Sequence, residues 1–195
     1  MIHTYLQKVR RAIKHMNKKM ALLGKLLLLT TLVTTISVIT RADEELMMQQ
    51  CHNSDNPTLC LRCLSSDPAS PKADKFALAR IILRCINSHL ITLTKNVSTL
   101  GSEHYYRNPK AEAALKQCGL GFSTAKRGVG EADAHLSVGD YDKAAYDVSV
   151  KVVDPPFSCK TNLETLNIQV PSSFRYHMEV YLALTQALLR IVDRF

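Results

Sequence analysis

From Ala79 to Leu100 the apolar residues fall at Ala79, Leu83, Ile86, Leu90, Leu93, Val97 and Leu100, stepping alternately four and three positions. An α-helix turns once per 3.6 residues, so this spacing lines all seven on one face and leaves the opposite face to polar side chains. A strand would need alternation with period two, and none is present over this stretch. The pattern recurs at Ala111, Leu115, Cys118, Phe122, Ala125, Val129, Ala132 and Leu136. A third, shorter run has Tyr141, Ala145, Val148 and Val152 on one side. The last has Phe174, Met178, Tyr181, Leu184, Leu188, Ile191 and Phe195. A one-faced helix must bury its stripe against others, so four such helices predict an all-α, antiparallel, up-and-down four-helix bundle.

The punctuation between the stripes agrees. Asp74 and Gly101 bound the first helix; Asn108 and Pro109 start the second, as cap and first-turn proline; Gly139 follows its end. Asp140 caps the third, which Pro155 and Pro156 are expected to stop. The fourth begins near Ser172 or Ser173. Gly119, Gly121, Gly128 and Gly130 lie inside the second helix. Each costs about 1 kcal/mol relative to Ala there, so packing must hold this helix and a neighbour can come close to it. Glu103 to Tyr106 reads as a connector with aromatic packing. The stretch from about Glu44 to Ser66 reads as an N-terminal helical hairpin.

Residues 1–42 have a different character. They carry eight of the 25 Lys and Arg and no Asp or Glu; the remaining 17 basic residues balance the 17 acidic ones. The net charge of +8 therefore belongs to the leader, and the body has no global excess to attract phosphates, which argues against nucleic-acid binding. A basic stretch, the uncharged run Leu26 to Ile39 and the small residue Ala42 follow in the order of a secretory signal peptide. Residues 1–42 are expected to be a cleaved signal, with 43–195 the exported domain. Met16 or Met20 as the start would give a leader of ordinary length. An uncleaved anchor is the competing reading, but the run is short of the roughly 20 apolar residues that span a bilayer. No membrane association is expected after cleavage.

Export would place Cys51, Cys60, Cys63, Cys85, Cys118 and Cys159 in an oxidising compartment, where disulfides form and persist. Spacing alone does not choose the pairing. Cys60 to Cys63 is a CxxC without a second CxxC or a βαβ context, so neither metal nor redox chemistry is expected. The histidines are scattered, and no nucleophile elbow, phosphate loop or HExxH is present; no catalytic residue, cofactor or metal is assigned. Asn96-Val97-Ser98 is a glycosylation sequon, with Asn96 expected beside the core face and outward.

The order of these features carries a resemblance. A leader precedes Cys-x8-Cys with Pro57 before the second cysteine, then a long helix. Ala113-Ala114-Leu115-x-x-Cys118 follows, then Tyr141-x-x-Ala144, and Cys159 lies 41 positions after Cys118. From Cys51 to Phe195 the chain resembles the plant invertase and pectin methylesterase inhibitor family, and Cys60 to Ser70 resembles its branch that includes pollen allergens. The resemblance implies a disulfide-stapled four-helix bundle with an N-terminal hairpin, with Cys51 bonded to Cys60 and Cys118 to Cys159. It implies a secreted, apoplastic protein that is not an enzyme. Such a protein would block a cell-wall pectin methylesterase (pectinesterase) or acid invertase as a monomer in a one-to-one complex. Three departures stand out. Phe122 replaces the usual Tyr; the segment Ser149-Val150-Lys151-Val152 is altered; and Gly139 to Ala144 lacks the Pro-Lys-Phe motif of some invertase inhibitors. Cys63 and Cys85 are additions that could form a third bridge or stay as buried thiols. The resemblance makes the exposed face of the second and third helices the docking surface, with Lys116, Lys126, Glu131, Asp142, Lys143 and Asp147 as its candidates. A non-inhibitory extracellular helical binding or pollen-surface protein is the alternative.

Overall fold

A computed structural model describes residues 44–102 and 108–194, with Met20 and Lys25 besides. The leader (apart from those two residues), the Glu103 to Tyr106 connector and Phe195 lie outside the described residues. By its internal contacts the chain divides into two units, Met1–Ala42 and Asp43–Phe195. The second unit is an all-α bundle: no strand occurs among the described residues.

Helix α1 (44–51) and α2 (Pro57–Ser65) form the N-terminal hairpin. The Asn56 side chain accepts from the Leu59 amide at 3.0 Å and Pro57 occupies the first turn, which fixes where α2 starts. The Cys51–Cys60 disulfide closes the hairpin across 5.6 Å between Cα atoms. Cys63–Cys85 then ties α2 to α3 (Lys75–Ser102). In the connector, the buried Ser70 hydroxyl donates to the Leu64 carbonyl at 2.5 Å. Asp74 caps α3 by accepting from the Ala77 amide at 2.8 Å, and all seven stripe residues of α3 are buried. Gly101 lies inside the last turn of α3 rather than after it.

Helix α4 (Pro109–Ser137) is capped by Asn108, which accepts from the Ala111 amide at 2.9 Å; its eight stripe residues are buried too. Gly139, at φ +76°, takes the left-handed conformation that lets the chain leave α4, while the Asp140 amide bonds back to the His135 carbonyl. The fourth bundle helix is α7 (Ser172–Val192), with Phe174, Met178, Tyr181, Leu184, Leu188 and Ile191 facing the core.

The third helix differs from the expectation. Pro155 and Pro156 do not stop it. It runs as α5 (Tyr141–Tyr146), a π-helical stretch (Asp147–Val153) and α6 (Asp154–Thr165), as long as its neighbours. The π stretch explains how it passes the prolines. The Asp154 amide bonds to Ser149, five residues back, and the wider turn leaves room for pyrrolidine rings. In an α-helix the Val152 carbonyl would take its hydrogen bond from residue 156, which is proline and has no N–H. The buried Tyr181 hydroxyl of α7 donates to that carbonyl instead, at 2.6 Å. The inner face at the start of this helix also differs from the expected stripe: Ala144 is fully buried, whereas Tyr141 and Ala145 are only partly so.

Candidate functional site

The second and third bundle helices meet along a seam of small residues. Cys118, Gly121, Ala125, Gly128 and Ala132 follow one another along the buried side of α4. A Cβ on Gly121 would lie 3.1 Å from the Pro155 carbonyl oxygen, and one on Gly128 would lie 2.5 Å from the Lys151 Cβ. The missing side chains bring the two backbones into contact, and Cys118–Cys159 locks the seam with 4.8 Å between Cα atoms. Gly119 and Gly130 have no such role, with 3.8 Å to Val97 and open space respectively.

A charge network lies along the same seam. Asp147 is buried, contrary to its placement on the exposed docking face: it comes three residues after the fully buried Ala144 and reaches towards α4. Its Oδ2 bonds to His135 Nδ1 at 2.8 Å and its Oδ1 accepts from Lys151 Nζ at 2.6 Å. Lys151 also donates to Glu131 at 2.7 Å. These hydrogen bonds, Asp147 first and Glu131 second, hold the Lys151 ammonium above its ordinary pKa. Buried charge needs such partners; here α4 and the third helix supply them to each other.

The six docking candidates therefore do not make one surface. Lys116, Lys126, Asp142 and Lys143 are exposed, and Glu131 is half-buried against Lys151. Lys126 opens onto the groove between α3 and α4, beside Arg80, Leu83 and Asp133. Lys143 pairs with Asp140, whose carboxyl this contact holds below its usual pKa. The exposed apolar side chains were missed from sequence. Tyr146, Val150 and Phe157 on the third helix are 60%, 41% and 54% exposed, and Leu120 on α4 is 57% exposed. All three residues of the third helix lie outside its buried positions, Tyr146 and Val150 before and within the π stretch and Phe157 just beyond it. The available signal was their position outside the buried stripe. Ending the helix at Pro155 hid Phe157. An aromatic ridge on a rigid, cross-linked helix pair suits the fully desolvated centre of a protein interface, where aromatic anchors dominate the energy.

The remaining candidates lie elsewhere. Cys51, Cys60, Cys63 and Cys85 are in disulfides on the α1–α2–α3 side. Asn96 does not point outward: its Nδ2, the atom a glycan would need, is buried without a hydrogen-bond partner among the described residues. No group of three or more metal-ligating side chains converges among the described residues.

Comparison with known proteins bears on this arrangement. Residues 45–188 match the family model described as plant invertase/pectin methylesterase inhibitor. A pectinesterase inhibitor of Actinidia deliciosa is 26% identical over 102 residues, 52% of this chain; the match spans 54% of that relative, about half its length. Two solved structures share the fold at 24% identity. One is mutant form A of a pectin methylesterase inhibitor from Arabidopsis, with a TM-score of 0.63 over 73% of this chain and 92% of that one. The other is a pectin methylesterase inhibitor from Arabidopsis thaliana, with a TM-score of 0.57 over 75% and 93%.

Proposed function

The chain belongs to the plant invertase/pectin methylesterase inhibitor family, and we propose on that ground that it is a secreted inhibitor of pectin methylesterase in the plant cell wall. The observation that carries this reading is the family match over 45–188, which takes in α2 to α6 and most of α7. Pectin methylesterase is preferred to acid invertase because the matched Actinidia relative is a pectinesterase inhibitor. The missing Pro-Lys-Phe motif at Gly139 to Ala144 argues against invertase inhibition by the mode that uses it, without by itself favouring pectin methylesterase. Three disulfides suit an exported protein, and residues 1–42 are the proposed cleaved signal.

The mechanism is steric occlusion. The ridge of Tyr146, Val150 and Phe157 enters the target's cleft, and the charges of Asp142, Lys143 and Lys116 form the rim. The seam and the Cys118–Cys159 bond hold the docking face before contact. Little conformational freedom is lost on binding, so more of the contact energy appears as affinity. No bond is made or broken in the inhibitor, and one copy covers one enzyme.

The test is a titration of the processed protein against purified pectin methylesterase and acid invertase, from pH 4.5 to 7. Stoichiometric loss of methylesterase activity at micromolar inhibitor is expected, with a one-to-one complex by light scattering. Phe157→Ala should weaken inhibition by about 30-fold, the roughly 2 kcal/mol of an interface anchor, at unchanged thermal stability. Full activity of both enzymes at micromolar protein would instead favour the non-inhibitory extracellular binding protein.

A further inference from the structure

Helices α2, α3 and α7 enclose a groove of about 480 Å³ that uses neither the α4 seam nor the third-helix ridge. Arg62, Ser66, Arg84, Ser88, His89 and Tyr176 contribute its polar lining. Cations outnumber acids there. Asp67 is the carboxylate of the lining, and Arg84 holds it at 2.6 Å. Arg62 has no ion-pair partner among the described residues. At the groove wall His89 Nδ1 meets Nδ1 of His177, from α7, at 2.9 Å, and Tyr176 packs edge-on against the His177 ring while half-exposed itself.

Two facing Nδ1 atoms can share one proton, so at least one imidazole is neutral while the contact lasts. Burial, then His177 and Arg62, push the His89 pKa below its ordinary value. The charged groups that act on His89 are His177 from α7 and Arg62 from α2; the groove also holds Tyr176 from α7 and Arg84 from α3, and its one acid, Asp67 of the connector, is taken by Arg84. Positive potential at His89 thus lacks a free internal counter-charge. A bound oxyanion would supply one, and by linkage would be held more tightly as the pair gains its protons.

We propose that the groove between α2, α3 and α7 binds a small molecule bearing an oxyanion, a carboxylate or phosphate, held by Arg62 and by His89, which His177 backs as its hydrogen-bond partner, with Tyr176 as a stacking face for a ring. This site goes beyond the inhibitor reading and stands or falls separately from it. The test is NMR titration of the processed full-length protein, following the His89 and His177 ring signals, with glucuronate, inorganic phosphate and uncharged glucose as probes. Saturable shifts with glucuronate or phosphate at pH 5.5, and none with glucose, are expected; the tighter of the two anions assigns carboxylate or phosphate. Glucuronate carries the same charge from pH 5.5 to 7.5, so its dissociation constant reports the protein's protons. It should rise over that range by up to about five-fold, the effect of losing one whole unit charge some 4 Å away at the dielectric constant of water. Arg62→Ala should weaken binding by at least as much. Replacing His89 and His177 together by Gln, which keeps hydrogen-bonding groups at both positions but leaves no imidazole to gain a proton, should flatten the pH dependence. Absence of saturable shifts, equal shifts with glucose, an unaffected Arg62→Ala variant or pH-independent binding would overturn the proposal.

Discussion

Gly128 and Gly130 lie on the same helix two positions apart, and replacing each with alanine should move stability in opposite directions. In a helix interior, alanine is favoured over glycine by about 1 kcal/mol because glycine has more backbone freedom to lose. At Gly130 nothing lies within 4 Å of the added Cβ, so that gain should appear almost undiminished. At Gly128 the added Cβ would meet Lys151 Cβ at 2.5 Å, Val152 Cγ2 at 3.2 Å and the Lys151 carbonyl carbon at 3.3 Å. These are not the free ends of flexible side chains. Lys151 is held at its tip by Glu131 and Asp147, and its backbone belongs to the π stretch. The helices must separate, and overpacking of this kind costs about 1–3 kcal/mol. Against the propensity gain, Gly128→Ala should be destabilised by up to about 2 kcal/mol, and the two variants should differ by roughly 1–3 kcal/mol. Urea unfolding at pH 7 with disulfides intact measures the difference; in heating scans each kcal/mol should appear as roughly 2–4 °C. If Gly128→Ala gains as much as Gly130→Ala, the close seam is wrong, and the pre-formed docking face built on it goes too.

Tyr181→Phe removes the hydroxyl that serves the Val152 carbonyl, leaving a buried acceptor that Pro156 cannot satisfy, and should cost about 1–3 kcal/mol in chemical denaturation. The same burial pushes the Tyr181 phenol far above its usual pKa. The unfolded chain then loses a proton that the native state keeps, so stability should fall as pH rises past about 10, the unfolded value. An absorbance titration at 295 nm should show this tyrosinate appearing only with unfolding. Asp147→Asn should cost roughly 1–3 kcal/mol, since it leaves the Lys151 ammonium without its closest carboxylate and puts an amide that offers one acceptor oxygen in place of two. Replacing Cys63 and Cys85 together by Ser releases a loop of sequence separation 22 and should cost about 3 kcal/mol in urea, leaving the α4 seam and inhibition unchanged.

The fold was legible because its main instruction is periodic. Alternating steps of four and three fix a helix face whatever its neighbours are, and Asn108 with Pro109, Asp140 and Gly139 act on their own turns. The third helix was misread because its continuation depends on a residue far along the chain. Two adjacent prolines do end most helices. Here a π turn and the hydroxyl of Tyr181, 29 positions from Val152, provide what the prolines lack. No local rule anticipates a donor arriving from α7.

That one misplacement accounts for much of what the site reading missed. Once the helix continues, Phe157 passes from loop to exposed helix; Asp147 turns inward for a different reason, lying three residues after the buried Ala144 at the edge of the inner face. Charged residues made the docking candidates because charge is the visible mark of a solvated face. The structure instead couples Glu131 and Asp147 to Lys151 and leaves aromatic and apolar side chains at the surface. The two features are linked physically. A helix carried past its prolines by a π stretch and pinned by a buried carboxylate holds its outer side chains in place, and exposed aromatics contribute most to binding when their positions are fixed before the partner arrives. The π stretch is therefore better understood as the means by which the third helix both clears its prolines and presents Tyr146, Val150 and Phe157 on a surface that the seam keeps stiff.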